Sequence, residues 1–109
     1  MRQYEQQWLD QLNTLIDKQL HLPDFKKANL VEQMNMSPSQ FYRQVVKLTE
    51  LSPVHYIRLK RLTKAKELLE VGVYGTVAEV ALAVGYRHVN YFSKQYENQF
   101  GRRPSDYLR

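Results

Sequence analysis

A chain of 109 residues has room for one small domain, or two very small ones sharing a core. It contains no cysteine, which excludes a disulfide framework, a thiolate zinc site and a thiol nucleophile. Apolar residues at 43% and charged residues at 25% are an ordinary globular balance, which argues against disorder. No apolar run approaches the ~20 residues that span a bilayer. The opening MRQYEQQWLDQL lacks the apolar core of a signal peptide, so neither export nor membrane insertion is expected. Charge is more informative. Sixteen bases exceed eleven acids, for a net charge of +5 and a pI near 9.5. Up to Val54 the six bases and six acids cancel, so the second part carries the whole excess. That asymmetry points to an anionic partner: nucleic acid, an anionic membrane or an acidic protein.

The pattern predicts helices throughout and no strand. Trp8, Leu12, Leu15, Ile16 and Leu20 share one face of a first helix, Tyr4 to Leu20. Leu22-Pro23-Asp24 breaks it, and Asp24 is placed to cap the next helix. That short helix runs from about Lys26 to Met34 and ends at Asn35, a residue type that tolerates positive φ. Ser37-Pro38-Ser39-Gln40 is a helix start: Ser37 as N-cap, Pro38 in the first turn, Gln40 closing a capping box. Phe41, Val45 and Leu48 give that helix its apolar face. The longest helix, about 53–71, carries a stripe of Ile57, Leu62, Ala65, Leu68 and Leu69, and ends at Gly72. Thr76 and Glu79 form a second capping box ahead of Val77, Val80, Ala81 and Val84. Gly85 stops that helix. His88 to Phe100 comes next, with Phe92, Tyr96 and Phe100 on one face; Gly101 ends it and Pro104 begins a last turn containing Tyr107. The expected fold is all-α, with about seven helices.

Two segments share one plan of short helix, tight turn and second helix: 26–49 about Asn35, and 76–100 about Gly85. This is the helix-turn-helix arrangement, whose turn needs a residue able to take positive φ. Close approach of its helices favours a small side chain four residues before the turn. Ala81 supplies it in the second copy, and the bulkier Val31 stands there in the first. Two copies joined by a 19-residue helix are a far more specific signal than either alone.

The chain resembles the DNA-binding domain of AraC/XylS-type transcription regulators from about Asp24 to Tyr107, with the preceding helix also in its expected place. The most specific stretch is TVAEVALAVGYRHVNYFSKQYENQFGRRPSDYL, residues 76–108, with its Gly-aromatic, Tyr-Phe-Ser-Lys, Phe-Gly and Pro-x-x-Tyr elements. MSPSQFYRQVVKLTELSPVHYIRLKRLTKAKELL, residues 36–69, adds the Met-Ser, Ser-Pro, Tyr-Ile-Arg and Arg-Leu elements. SQFYRQVVKLT and the Asp24-Phe25 pair before it most resemble output domains of bacterial hybrid two-component regulators, which would make this chain the C-terminal part of a longer protein. There are departures. Asn35 and Glu50 stand where the family usually has Gly, and Arg87-His88 where a Ser or Asp N-cap is frequent.

The resemblance implies a single domain over residues 1–109 that binds double-stranded promoter DNA. Its two recognition helices would enter successive major grooves, where base edges carry a full donor and acceptor code. The linking helix suits this, since nineteen residues at 1.5 Å span ~28 Å, near the ~34 Å of one duplex turn. The first head's candidates for base contact are Ser39, Gln40, Tyr42 and Arg43. The second head's are His88, Val89, Asn90, Ser93 and Lys94. Phosphate candidates are Ser37, Lys47, Thr76, Arg102 and Arg103. Arg58, Lys60, Arg61, Lys64 and Lys66 are expected in solvent, in pairs with acids such as Glu67 and Glu70, or, for Arg58 and Arg61, in the framework. RNA polymerase is a further expected partner. No cofactor, metal, small-molecule ligand or membrane contact is expected of this segment, and its expected place is the cytoplasm, on the nucleoid, even where a longer parent protein is membrane-anchored. His21, His55 and His88 are scattered without ligand spacing, and no Gly-rich phosphate loop is present, so no enzyme is expected. Two rival readings use the same basic face: an α-helical protein-interaction module with an acidic partner, and peripheral binding to anionic membrane.

Overall fold

The computed structural model describes residues 1–108. Six α-helices and one terminal 3-10 turn run in order: α1 Gln3–Gln19, α2 Lys27–Gln33, α3 Pro38–Thr49, α4 Pro53–Val71, α5 Val77–Ala83, α6 Val89–Phe100, and the turn Pro104–Tyr107. Among the described residues there is no strand. The all-α expectation and every predicted helix are therefore present, with ends shifted by one or two residues.

The starts obey the caps. Ser37 Oγ accepts from the Gln40 N–H at 3.2 Å, and Gln40 Oε1 accepts from the Ser37 N–H at 3.2 Å. This reciprocal box satisfies two donors that the helix itself cannot pair. The box expected at Thr76 and Glu79 is only half formed. Thr76 Oγ1 accepts from the Glu79 N–H at 3.1 Å, but the Glu79 carboxylate takes the Thr76 hydroxyl proton at 3.0 Å instead of reaching the backbone. Asp24 does not cap α2. The N-cap is Lys26, whose N–H donates to Asn29 Oδ1 at 3.0 Å, while Asp24 pairs with Arg87 across the molecule. His88 stands at the N-cap of α6 and makes no side-chain cap bond, because its ring does not supply the short acceptor that the position favours.

Both positive-φ departures are real. Asn35 adopts φ 55° in the first turn, and Glu50 adopts φ 62° at the C-cap of α3. A side chain with a β-carbon in this region carries a steric cost of roughly 1–2 kcal/mol. Glu50 is exposed, so no packing is lost by removing it. Glu50→Gly is accordingly expected to raise the unfolding free energy by about 0.5–1 kcal/mol, net of the extra freedom it gives the unfolded chain, and urea denaturation checks this.

The core is continuous. Leu12 and Ile16 of α1, Leu30 of α2, Phe41 and Val45 of α3, Leu62 and Ala65 of α4, Val80 of α5, and Phe92 and Tyr96 of α6 are buried in one cluster. Each large member contributes roughly 1.5–3 kcal/mol relative to exposure. Trp8 lies 6.1 Å from the Phe41 ring and packs α1 onto the first helix-turn-helix. In the second unit Tyr86, Phe92, Tyr96, Phe100 and Tyr107 form a chain of ring contacts, the closest being Tyr96 and Phe100 at 4.7 Å.

Helix α4 packs against α1, α2, α3, α5, α6 and the terminal turn. Its buried residues Pro53, Ile57, Leu62, Ala65 and Leu69 are not confined to a narrow stripe but occupy about half the helix circumference at ~100° per residue. A helix that links two units must bury different faces at its two ends. The outline agrees: the extents are 44 × 27 × 21 Å and the radius of gyration is 14.8 Å, above the roughly 13 Å of a round domain of this length.

Candidate nucleic-acid interface

In α3 the buried Phe41 and Val45 turn the opposite side outward. Ser39, Gln40, Tyr42, Arg43 and Lys47 are all exposed, as the spacing predicts. Arg43 has no acid within ion-pair distance among the described residues, so its planar fork is unspent. Gln40 is partly committed, because its Oε1 closes the capping box and leaves its amide N–H groups outward. Ser37 Oγ is committed to the same box. Gln44, absent from the sequence-based candidates, lines a shallow groove with Gln40, Arg43 and Lys47. The i, i+3, i+4, i+7 spacing of these four is the signal that could have found it.

Lys47 is not a free cation. Its ammonium lies 3.0 Å from Glu5 Oε2, with the Lys47 side chain 63% exposed and the Glu5 side chain only 8%. Glu5 is anchored by the Arg2 backbone N–H at 3.1 Å. That backbone bond, and after it Lys47, holds the Glu5 carboxyl below its ordinary 4.5. The start of α1 thus holds an ion pair with the recognition helix. A depressed folded-state carboxyl stabilises the fold above its unfolded value, and that stability is lost as pH falls through the folded value. Glu5→Gln is expected to remove this part of the acid limb. Denaturation midpoints taken from pH 7 down to pH 3 should therefore fall less steeply in the variant than in the wild type.

In α6, Phe92 and Tyr96 face the core. His88, Val89, Asn90 and Lys94 are exposed, whereas Ser93 is half-buried and points nearer the core. Asn90, Lys94 and the exposed Asn98 recur every four residues and share one face; Asn98 is a further candidate that this spacing makes legible. Lys94 also has no acid partner among the described residues. The Thr76 hydroxyl is taken up by Glu79. Arg102 stacks over the Tyr107 ring at 4.2 Å. Arg103 pairs with Asp106 at 3.3 Å. Both arginines remain exposed at the end of α6.

The basic run on α4 is dispersed by the fold. Lys60 pairs with Asp17 at 3.3 Å and Lys64 with Glu67 at 3.6 Å. Lys66 lies over the Phe100 ring at 5.1 Å. Arg61 is structural: Nε donates to the Leu20 carbonyl at 3.2 Å, and Nη2 donates to the carbonyls of Leu22 at 2.9 Å and Phe25 at 3.2 Å. Burial pushes its guanidinium below the ordinary value, and the three carbonyls supply the partners that burial demands. Beside it, Gly85 turns at φ 89°. The turn backbone comes so close to α1 that a β-carbon on Gly85 would lie 2.2 Å from the Leu20 carbonyl oxygen. No helix among the described residues is long and apolar enough to cross a membrane.

Two helix-turn-helix units, each turning polar residues outward on its second helix, define the class. The helix-turn-helix domain family matches over residues 30–109. The chain is 35% identical over 81 residues to the XylDLEGF operon transcriptional activator 2 of Pseudomonas putida, covering 72% of this chain and 52% of that protein. Among solved structures it is similar to the C-terminal domain of AraT, a response regulator from Geobacillus stearothermophilus (TM-score 0.81, 27% identity, covering 92% of this chain and 82% of that one). It is equally similar to the DNA-binding domain of AdpA, a global transcriptional factor, in complex with a target DNA (TM-score 0.81, 28% identity, covering 91% and 87%). This chain belongs to the AraC-type helix-turn-helix family of transcription-regulator DNA-binding domains. It spans about half the length of the Pseudomonas relative.

Proposed function

We propose that this chain is the DNA-reading part of a bacterial transcription regulator and that it places α3 and α6 in successive major grooves on one face of the duplex. The observation that carries the reading is the outward polar face that each unit turns to solvent on its second helix. Arg43 on α3 and Lys94 on α6 lie exposed on those faces, opposite the buried Phe41 and Val45 and the buried Phe92 and Tyr96, and neither has an acid partner among the described residues.

In this reading Arg43 makes a bidentate contact to a guanine edge, with Ser39, Gln40 and Tyr42 on flanking bases. Asn90 pairs with adenine, Val89 touches a thymine methyl, and Lys94 reaches guanine or phosphate. His88 and Ser93 flank them. The Ser39 N–H, in the first turn that Ser37 caps, together with Arg102 and Arg103, holds phosphates, the Ser37 N–H being taken by Gln40; Lys47 joins them by exchanging Glu5 for a phosphate, and Thr76 contributes only its backbone. RNA polymerase is the expected second partner, on the strength of relatives that carry activator names. The place of action is that of the DNA, on the nucleoid in the cytoplasm.

Selection from a random duplex library, with sequencing of the bound pool, tests the reading. Two short motifs about one helical turn apart are expected. With ~6 phosphates neutralised, log affinity should fall against log salt with a slope near −5. A single motif would leave only one head reading bases. No enrichment, with binding lost at moderate salt, would turn the basic face over to a protein partner.

A further inference from the structure

The surface between the two recognition helices is not accounted for by the reading residues. A cleft of about 500 Å³ lies between the start of α2, the start of α4 and the second turn, with Lys26, Lys27, Arg58 and Tyr91 among its walls. A second depression of about 270 Å³ is walled by Tyr42, Phe41 and Pro53. The two share Lys27 and Ala28. Together they make one trough from Tyr42 on α3 to Tyr91 on α6. The rims are exposed aromatic rings, at 50% and 51%.

Among the described residues no carboxylate lines either depression. Lys26, Lys27 and Arg58 form no ion pair there, although most other cations of the described chain are paired or stacked. Arg61 beneath them is spent on three backbone carbonyls. The charges of Lys26 and Lys27 do not serve their helix. Lys26 and Lys27 stand at the start of α2, a first turn without an acid, where the helix dipole opposes positive charge.

We propose that this trough is a third DNA contact, seating the sugar–phosphate backbone that passes between the two reading heads. The inference rests on the proposed function. Two helices in successive major grooves on one face of a duplex leave a minor groove, walled by phosphates, facing whatever lies between them. Here that surface carries three cations without an ion-pair partner among the described residues. Lys26 and Lys27 act as point charges on phosphates, and Arg58 offers its fork from the cleft wall. Tyr91 packs its ring face on a flanking deoxyribose, while Tyr42, which the first head uses on a base, closes the other end of the trough. The contact is blind to sequence and adds affinity and register, not discrimination.

The test uses the whole chain with Lys26→Gln, Lys27→Gln and Arg58→Gln, singly and combined, which keep much of each aliphatic stem. Affinity for the selected operator is measured across a salt series by fluorescence anisotropy, and thermal melts verify folding. Each change is expected to flatten the log–log salt slope by about 1, and the triple variant by ~2.7, while the selected sequence stays the same. Lys18→Gln, on exposed α1 surface, is the control and should leave the slope unchanged. Ethylation interference should mark phosphates across the minor groove between the two motifs. If the wild type selects a sequence but the triple variant keeps its slope, the trough does not touch DNA and the inference fails. If the triple variant selects a different sequence, the trough reads bases and the phosphate assignment is overturned. If the wild type selects nothing, the proposed function itself fails and the trough loses its ligand with it.

Discussion

Arg43→Ala is expected to lower operator affinity and to erase preference at one base position, while Lys94→Ala acts at a position about one duplex turn away. A bidentate arginine contact to guanine is worth roughly 1–3 kcal/mol of discrimination, so the preference at that base should fall about 5- to 150-fold. The effect should be local, because Arg43 has no acid partner among the described residues and its loss leaves no buried charge behind. Stability should change by no more than about 0.5 kcal/mol, as for other exposed sites. Repeating the duplex selection with each variant separates the possibilities. If both changes weaken every sequence equally, both residues hold phosphates and neither reads bases.

Gly85→Ala is expected to be the most damaging small substitution in the chain. Two costs add. The φ of 89° is one that residues with a β-carbon rarely adopt, and a β-carbon there carries roughly 1–2 kcal/mol of strain. The new methyl would also lie 2.2 Å from the Leu20 carbonyl oxygen and 3.2 Å from the Arg61 guanidinium. Backbone at the end of α1 cannot yield without disturbing the three carbonyls that Arg61 holds together, so overpacking adds about 1–3 kcal/mol. The sum, about 2–5 kcal/mol, should lower Tm by roughly 10–20 °C for a domain of this size. Gly101→Ala is the matched comparison. Its φ is 70° but nothing lies within 4 Å of the added carbon, so only the conformational cost of roughly 1–2 kcal/mol remains. Equal losses in the two variants would show that the contact with Leu20 carries no weight.

The local chemistry of this chain is legible because it depends on near neighbours. The Ser37 and Gln40 box, the αL turns at Asn35 and Glu50, and the outward faces of α3 and α6 all involve residues within a few positions of each other. Most candidates for DNA contact lie where helical spacing puts them. Ser93 is the partial exception, since it sits on the flank of the Phe92 and Tyr96 face. Sequence and structure part where a side chain chooses a distant partner. Asp24, expected to cap α2, instead meets Arg87, 63 residues away. Lys47, expected to be a free phosphate ligand, is held by Glu5.

By itself the sequence determined the all-α class, the two helix-turn-helix units and the polar faces they expose. Caps, periodicity and glycine positions act over one or two turns and can be read in one dimension. Only the tertiary structure decided which cations are spent and which are free. Arg61 is one of five bases in an acid-free run of α4, and folding alone sets it against three carbonyls of the α1–α2 connection. The trough of Lys26, Lys27 and Arg58 is likewise made by bringing α2 against the start of α4. The physical reason is the same in each case. A charge is worth little until its neighbours set its solvation and its partners, and those neighbours come from other parts of the chain.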